Sequence, residues 1–251
     1  MIPNRESSAT SSNGALRKTR ASRKESNSAW LASHELREGI LLLGGSSLAD
    51  FRQRVAQSTL RRDLSPSYWS LCGLLIDDGS RFLSVPLSIP DASAVPAANA
   101  VRECAMTDYD SPRHWPNIGV VRFASEMSAI VGEAREVASR RTVVDLPALL
   151  LAWLGFAWGV SDRPNPLTQS LGIPSAVFVE TAHAIAGVEL TPGLASAASC
   201  PEAIWQAAKW WHEYYEEAPV AMAGTLDPGT MPPQGWYAVR QPNAQLLDSA
   251  D

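Results

Sequence analysis

Short apolar runs alternate along the chain with longer segments whose apolar residues recur every three or four positions. The run Gly39–Gly44, which reads GILLLG, predicts a buried strand bounded by glycine. The runs Trp69–Asp77 and Arg81–Leu87 predict an antiparallel hairpin, because Asp78 and Gly79 between them form a strong turn signal. A further strand is predicted over Asn117–Phe123.

Helical spacing predicts six helices, most of them in the second half of the chain. Because the strands come early and the helices come late, the pattern predicts an α+β fold. The predicted helices are Ser28–Arg37, Leu48–Arg62, Ser125–Arg140, Pro147–Val160, Ser175–Ala186 and one that begins at residues 199–202 and continues through Trp211.

The two ends of the chain differ in composition from the rest. Residues 1–28 hold seven serines and six basic side chains against two glutamates, so we expect a disordered basic leader. The alternative is a basic arm that contacts an acidic partner or nucleic acid. Residues 225–251 are rich in Pro, Gly, Asn and Gln and predict an extended tail that lies on the body through Trp236 and Tyr237.

Composition excludes several classes of protein. The chain has 251 residues and a net charge of −5, which disfavours nucleic-acid binding through the whole surface and leaves at most a weak contact by the leader. None of the three cysteines forms a C-x-x-C pair, so neither a disulfide framework nor a zinc knuckle is indicated. No apolar run reaches the roughly 18 residues of a membrane span, and we expect a cytoplasmic protein.

Motifs for cofactors and common nucleophiles are missing from the sequence. There is no G-x-x-x-x-G-K-[ST] loop and no G-x-S-x-G elbow. The four histidines are scattered without metal-ligand spacing. We therefore expect no cofactor and no metal.

One arrangement of segments stands out from this background. ILLLGGSSLADFRQRV is followed by YWSLCGLLIDDGSRFLSVPL and, much later, by LGIPSAVFVETAHAIAG and SCPEAIWQ. Over about residues 40–215, this order resembles the circularly permuted papain-like superfamily, in its YiiX-like and lecithin–retinol-acyltransferase-like branch of the NlpC clan. The resemblance implies a permuted papain-like domain over residues 29–224, with a small antiparallel sheet packed against helices.

The family's reactive positions are substituted in this chain. The segment 70–74 matches the histidine strand with Leu71 in place of histidine, and the segment 175–179 matches the nucleophile helix with Ser175 in place of cysteine. Ser84 falls near the third polar position, and the aspartate of the opening glycine–aspartate pair is replaced by Ile40. The resemblance implies that Ser175 faces Leu71 in a shallow pocket that Ser84 or Trp69 also lines.

The substitutions change what the site can do. Serine needs a positioned base before it becomes a nucleophile, and Leu71 cannot accept a proton. Cys72 does not replace the base, because adjacent strand residues face opposite sides. His183 is eight residues further along the same helix, about 12 Å of rise from Ser175. The plain structural alternative is that Ser175, after Pro174, is a helix N-cap.

Three hypotheses for function follow. The first is a degenerate papain-like protein that keeps its cleft to bind a small molecule, a peptide or a protein without turnover. The second is an active hydrolase or acyltransferase that uses Ser175 with a base from elsewhere. The third is a plain protein-interaction domain.

Overall fold

The computed structural model describes residues 16–87, 98–123, 125–159, 164–217 and 233–244. The fold is α+β: seven strands form one mixed sheet, and six helices cover it. The strands are β1 Leu16–Lys18, β2 Gly39–Gly44, β3 Leu71–Ile76, β4 Arg81–Ser84, β5 Arg102–Ala105, β6 Asn117–Arg122 and β7 Gln234–Val239. The helices are α1 Asn27–Ser33, α2 Leu48–Ala56, α3 Met127–Ser139, α4 Leu146–Ala157, α5 Pro174–Ile185 and α6 Pro201–Glu217.

The sheet has the strand order β1-β7-β6-β2-β3-β4-β5. All of its strand pairs are antiparallel except the edge pair of β1 and β7, which is parallel. The central strands β2 and β3 are apolar on both faces and wholly buried, as their sequences GILLLG and LCGLLI require. Each face of the sheet therefore carries its own hydrophobic core.

The larger core lies between the sheet and helices α3, α4, α5 and α6. Its central element is α5, in which every residue from Pro174 to His183 is buried. The smaller core covers the opposite face, where Trp30 of α1 packs with Tyr109 and Trp115. On its own side of the sheet, α5 is buried because it packs on β3 and against α3, α4 and α6.

The predicted hairpin is present, with β3 and β4 paired from Ile76 and Arg81 back to Leu74 and Leu83. Its turn is longer than the predicted two residues, because Asp77, Asp78 and Gly79 form a short 3-10 turn with positive φ angles of 49°, 57° and 82°. Only Gly79 of the three adopts this left-handed conformation without steric cost.

Segments near both ends of the chain contribute to the sheet, and strand β1 differs from the disordered leader expected over residues 1–28. In the leader, Leu16–Lys18 is strand β1, and Thr19 Oγ1 accepts a hydrogen bond of 2.9 Å from the indole of Trp30. In the tail, Gln234–Val239 is strand β7, inserted between β1 and β6. Apolar contacts between distant parts of the chain order these segments. Residues 1–15, 218–232 and 245–251 lie outside the described residues.

Candidate functional site

Ser175 is the second residue of α5, two positions past the N-cap of the helix. Ile173 occupies the cap position, and its side chain makes no capping hydrogen bond, so the N-cap interpretation of Ser175 is wrong. The Ser175 side chain is fully buried. Its Oγ accepts a hydrogen bond of 3.3 Å from the backbone N–H of Cys72 in β3, and the Cys72 Sγ lies 3.8 Å from the same oxygen.

Ser84 meets the same strand residue. Its hydroxyl, also fully buried, donates a hydrogen bond of 2.6 Å to the backbone carbonyl of Cys72. The ladder between β3 and β4 runs only from Ile76 to Leu74 on the β3 side, so Cys72 lies beyond its end. Ser175 and Ser84 thus satisfy the two peptide groups that the missing ladder leaves open at Cys72.

Leu71 is not part of this arrangement. Successive residues of a strand point to opposite faces, and Leu71 packs in the smaller core with Leu43 and Trp115, whereas Cys72 packs in the larger core with α5. The predicted pocket between Leu71 and Ser175 is therefore wrong: the sheet separates them. The resemblance placed the histidine position on the face away from α5.

Trp69, the alternative to Ser84 as the third lining residue, faces the larger core. It packs edge-on against Trp205 of α6, with ring centroids 5.4 Å apart. Like Ser175, Trp69 is fully buried. Ser175, Ser84 and Trp69 are therefore all closed to solvent.

Among the described residues, no basic side chain is hydrogen-bonded to Ser175. The nearest titratable partner is the Cys72 thiol, and burial raises its pKa well above the ordinary value, although the hydrogen bond with Ser175 opposes this in part. Burial also raises the pKa of the Cys200 thiol to about 12. Neutral thiols neither accept the serine proton nor act as nucleophiles. The thiols of Cys72 and Cys200 therefore do not activate the Ser175 hydroxyl.

His183 is buried near the other end of α5. Its Nδ1 lies 2.8 Å from the backbone carbonyl of Val179, and its Nε2 has no hydrogen-bond partner within the described part of the chain. Burial lowers the pKa of His183 to about 4, so the ring is neutral near pH 7. The ring is hydrogen-bonded to its own helix and does not reach Ser175.

Sequence reasoning missed Glu180, a carboxyl group buried in the same helix. Its Oε1 accepts hydrogen bonds from Thr191 Oγ1 at 2.5 Å and from Ser199 Oγ at 3.2 Å. Burial raises the pKa of Glu180, and the two hydroxyls counteract this rise only in part. The signal was present, because Glu180 is the one acidic residue in the mostly apolar segment SAVFVETAHAI. Its partners join α5 to the loop before α6.

The described residues contain no group of three or more His, Cys, Asp or Glu side chains that could hold a metal ion. All three cysteines are free and buried. Among the described helices, none combines the length and the apolar character that crossing a membrane requires. Comparisons with protein-family models, with curated proteins and with solved structures found no match for this chain.

Proposed function

We propose that the protein is a non-catalytic binding protein in which a papain-like reaction site is closed. The observation that carries this proposal is the double hydrogen bond at Cys72, whose peptide groups engage both Ser175 and Ser84. A nucleophile needs a free hydroxyl, a base and room for a substrate carbonyl. Ser175 is buried and its hydroxyl is hydrogen-bonded, and no base among the described residues is hydrogen-bonded to it.

Active hydrolysis through Ser175 has less support. The one histidine on the same helix, His183, is about 12 Å of helical rise away and is hydrogen-bonded to the backbone of Val179. Glu180 is five residues beyond Ser175 in α5, and its carboxyl group accepts hydrogen bonds from Thr191 and Ser199. Catalysis would need a rearrangement of α5 that breaks the larger core.

The papain-like part of the proposal rests on the order of the elements and on the contact between Ser175 of α5 and Cys72 of β3. A glycine-bounded strand, a hairpin and a late helix whose first turn packs on β3 occur in the order that the resemblance implies. Free cysteines agree with the reducing cytoplasm that we assign to the protein.

The test of non-catalysis is a turnover assay. The unmodified protein and Ser175→Ala are incubated with a panel of ester and amide substrates. We expect no turnover by either protein. Turnover by the unmodified protein that Ser175→Ala abolishes would establish the serine hydrolase in its place.

The papain-like assignment has its own test, with a matched control. Ser175→Cys is combined either with Cys72→His, which places the imidazole on the face of α5, or with Leu71→His, which places it on the opposite face. We expect labelling at position 175 by an electrophilic thiol probe to rise only with Cys72→His. Equal labelling of both folded variants would contradict the assigned geometry, and melting curves show which variants fold.

A protein-interaction domain is the second candidate, and one helix favours it. No charged side chain occurs from Leu146 to Gly159, and α4 leaves Leu151 69% exposed and Trp158, just after its end, 59% exposed. Such an uncharged apolar face is self-complementary, so a second copy of the chain is the partner that fits it.

The corresponding experiment is sedimentation of the wild type, Leu151→Lys and the control Leu64→Lys, which changes a leucine that is 70% exposed outside α4. The interaction hypothesis expects a dimer that Leu151→Lys alone dissociates. A monomeric wild type at high micromolar concentration would contradict it.

A further inference from the structure

An open cavity of about 370 Å³ lies between the loop that follows α2 and the exposed side of α6. Its lining includes Arg62, Asp63, Lys209 and Trp210. None of these residues takes part in the hydrogen bonds between Ser175, Ser84 and Cys72. The volume falls in the range of roughly 300–1,000 Å³ that is typical of small-molecule sites. The size and the mixed lining suit a small ligand with an apolar and a polar part.

The apolar side of the cavity is an ordered aromatic surface. Trp210 is 52% exposed, although its ring stacks on Tyr214 with centroids 5.5 Å apart and an angle of 18°. The ring of Trp211 packs edge-on against that of Trp210, with ring centroids 4.7 Å apart. Because its neighbours hold the indole, a flat ring can stack on it with little loss of side-chain entropy.

One wall of the cavity is fixed by Arg61. Its guanidinium lies 3.0 Å from the Asp63 carboxylate and 3.6 Å from that of the buried Glu202. The same group stacks over the ring of Tyr68, 4.4 Å from its centroid. The charges of Arg61 and Asp63 therefore compensate each other, and this wall is built before any ligand arrives.

The other two cations of the lining are not used in this way. Within the described residues, neither Arg62 nor Lys209 makes an ion pair, although Lys209 is close enough to Glu202 to favour its ionised form. Glu213 is the remaining acidic residue of the lining. The uncompensated charge of the cavity is positive but small, which suits a ligand with one anionic group.

We propose that this cavity binds a flat aromatic ring that carries an anionic group. The ring stacks on Trp210, and the anionic group contacts Arg62 and Lys209. The carboxylate of Glu213 in the lining disfavours heavily charged anions such as nucleoside triphosphates. An aromatic carboxylate and a nucleoside monophosphate share the required chemistry, and the experiment distinguishes them.

The site is independent of catalysis at Ser175, so its test and the turnover test can fail separately. The protein is labelled with ¹⁵N, and the indole N–H resonance of Trp210 is assigned by its loss in Trp210→Leu. Four probes are titrated: 2-naphthoate, its neutral analogue 2-naphthamide, acetate as an anion without a ring, and AMP.

We expect 2-naphthoate or AMP to shift the Trp210 resonance saturably, with 2-naphthamide and acetate binding much more weakly. The tighter of the first two probes identifies the source of the ligand. Arg62→Gln and Lys209→Gln should each weaken binding of the anionic probe by up to about fivefold, with no effect on 2-naphthamide. Two controls, Arg135→Gln on α3 and Trp158→Leu after α4, should bind like the wild type.

Two results would overturn the proposal. The first is the lack of any saturable shift of Trp210 up to millimolar concentrations of both anionic probes. The second is equal affinity for 2-naphthoate and 2-naphthamide, which would leave only non-specific apolar adsorption. Loss of binding in Trp158→Leu to the same extent as in Trp210→Leu would also point to adsorption.

Discussion

The first turn of α5 and the later turns of α6 lie on the same side of the sheet but in opposite environments. Ser175 in α5 is fully buried and hydrogen-bonded to the backbone of β3. Trp210 in α6 is half exposed and borders a cavity with two cations that make no ion pair within the described residues. Ser175, the candidate nucleophile, is inaccessible to solvent. The cavity beside Trp210 is accessible and is lined by aromatic and charged side chains.

The comparison predicts a large difference in stability. Phe178→Ala in α5 should lower the free energy of unfolding by about 3–5 kcal/mol, because it empties a fully buried site in the larger core. Trp210→Leu should change it by less than about 1 kcal/mol, because the side chain is half exposed. Urea unfolding measures both values. Similar costs for the two substitutions would contradict the contrast.

The buried end of α5 should also respond to pH. The pKa of His183 is about 4 in the folded protein against 6.5 for the unperturbed ring, so the unfolded chain binds more protons between these values. Stability from this group is complete above pH 6.5 and is lost as the pH falls towards 4, by about 3 kcal/mol in total.

The measurement is urea unfolding at pH 7 and near pH 4.5 for the wild type, His183→Gln and the exposed control His114→Gln. Buried Glu180 and Glu202 have raised pKa values and act in the opposite direction, so only the difference between variants isolates His183. We expect His183→Gln to lose less stability at low pH than the other two proteins. Equal losses in all three would contradict the assignment.

Smaller effects are expected at Cys72. Ser175→Ala leaves the backbone N–H of Cys72 without a partner, and Ser84→Ala does the same to the Cys72 carbonyl. Each substitution should lower the free energy of unfolding by about 1–3 kcal/mol. Ser128→Ala is the matched control, because Ser128 is also the second residue of a helix but is exposed in α3. Its cost should stay within about 0.5 kcal/mol. If Ser175→Ala were equally silent, the structural role of that hydroxyl would be wrong.

Local pattern predicted most of the elements. β2 was predicted over its observed range, because glycine bounds the apolar run on both sides. β5 was missed, because its sequence RECA shows no apolar alternation. β1 and β7 were missed because their pairing joins Leu16 to Gly235, and no local signal reports a contact between chain ends.

The candidate site was predicted only in part. The pattern predicted a helix that begins at Ser175, and the resemblance implied that it packs on the strand of Leu71 near Ser84; both hydroxyls bond to the backbone of Cys72 in that strand. The sequence could not show which face of β3 packs on α5. LCGLLI has no alternation of polar and apolar residues that would distinguish the two faces of the strand. Leu71 was therefore placed on the wrong face.

Ser175, to which the resemblance assigns the place of a nucleophile, is buried, and the reactivity of a cysteine placed there measures how closed that position is. The three native cysteines are buried, so background labelling of the native protein should be slow. Ser175→Cys and Ser128→Cys are reduced, freed of reductant and treated with a thiol reagent, and intact mass follows the adduct over time. We expect rapid labelling of Ser128→Cys and labelling of Ser175→Cys as slow as that of the wild type. Labelling of Ser175→Cys as fast as or faster than that of Ser128→Cys in the folded protein would contradict it, since it would reveal an open site that activates a thiolate.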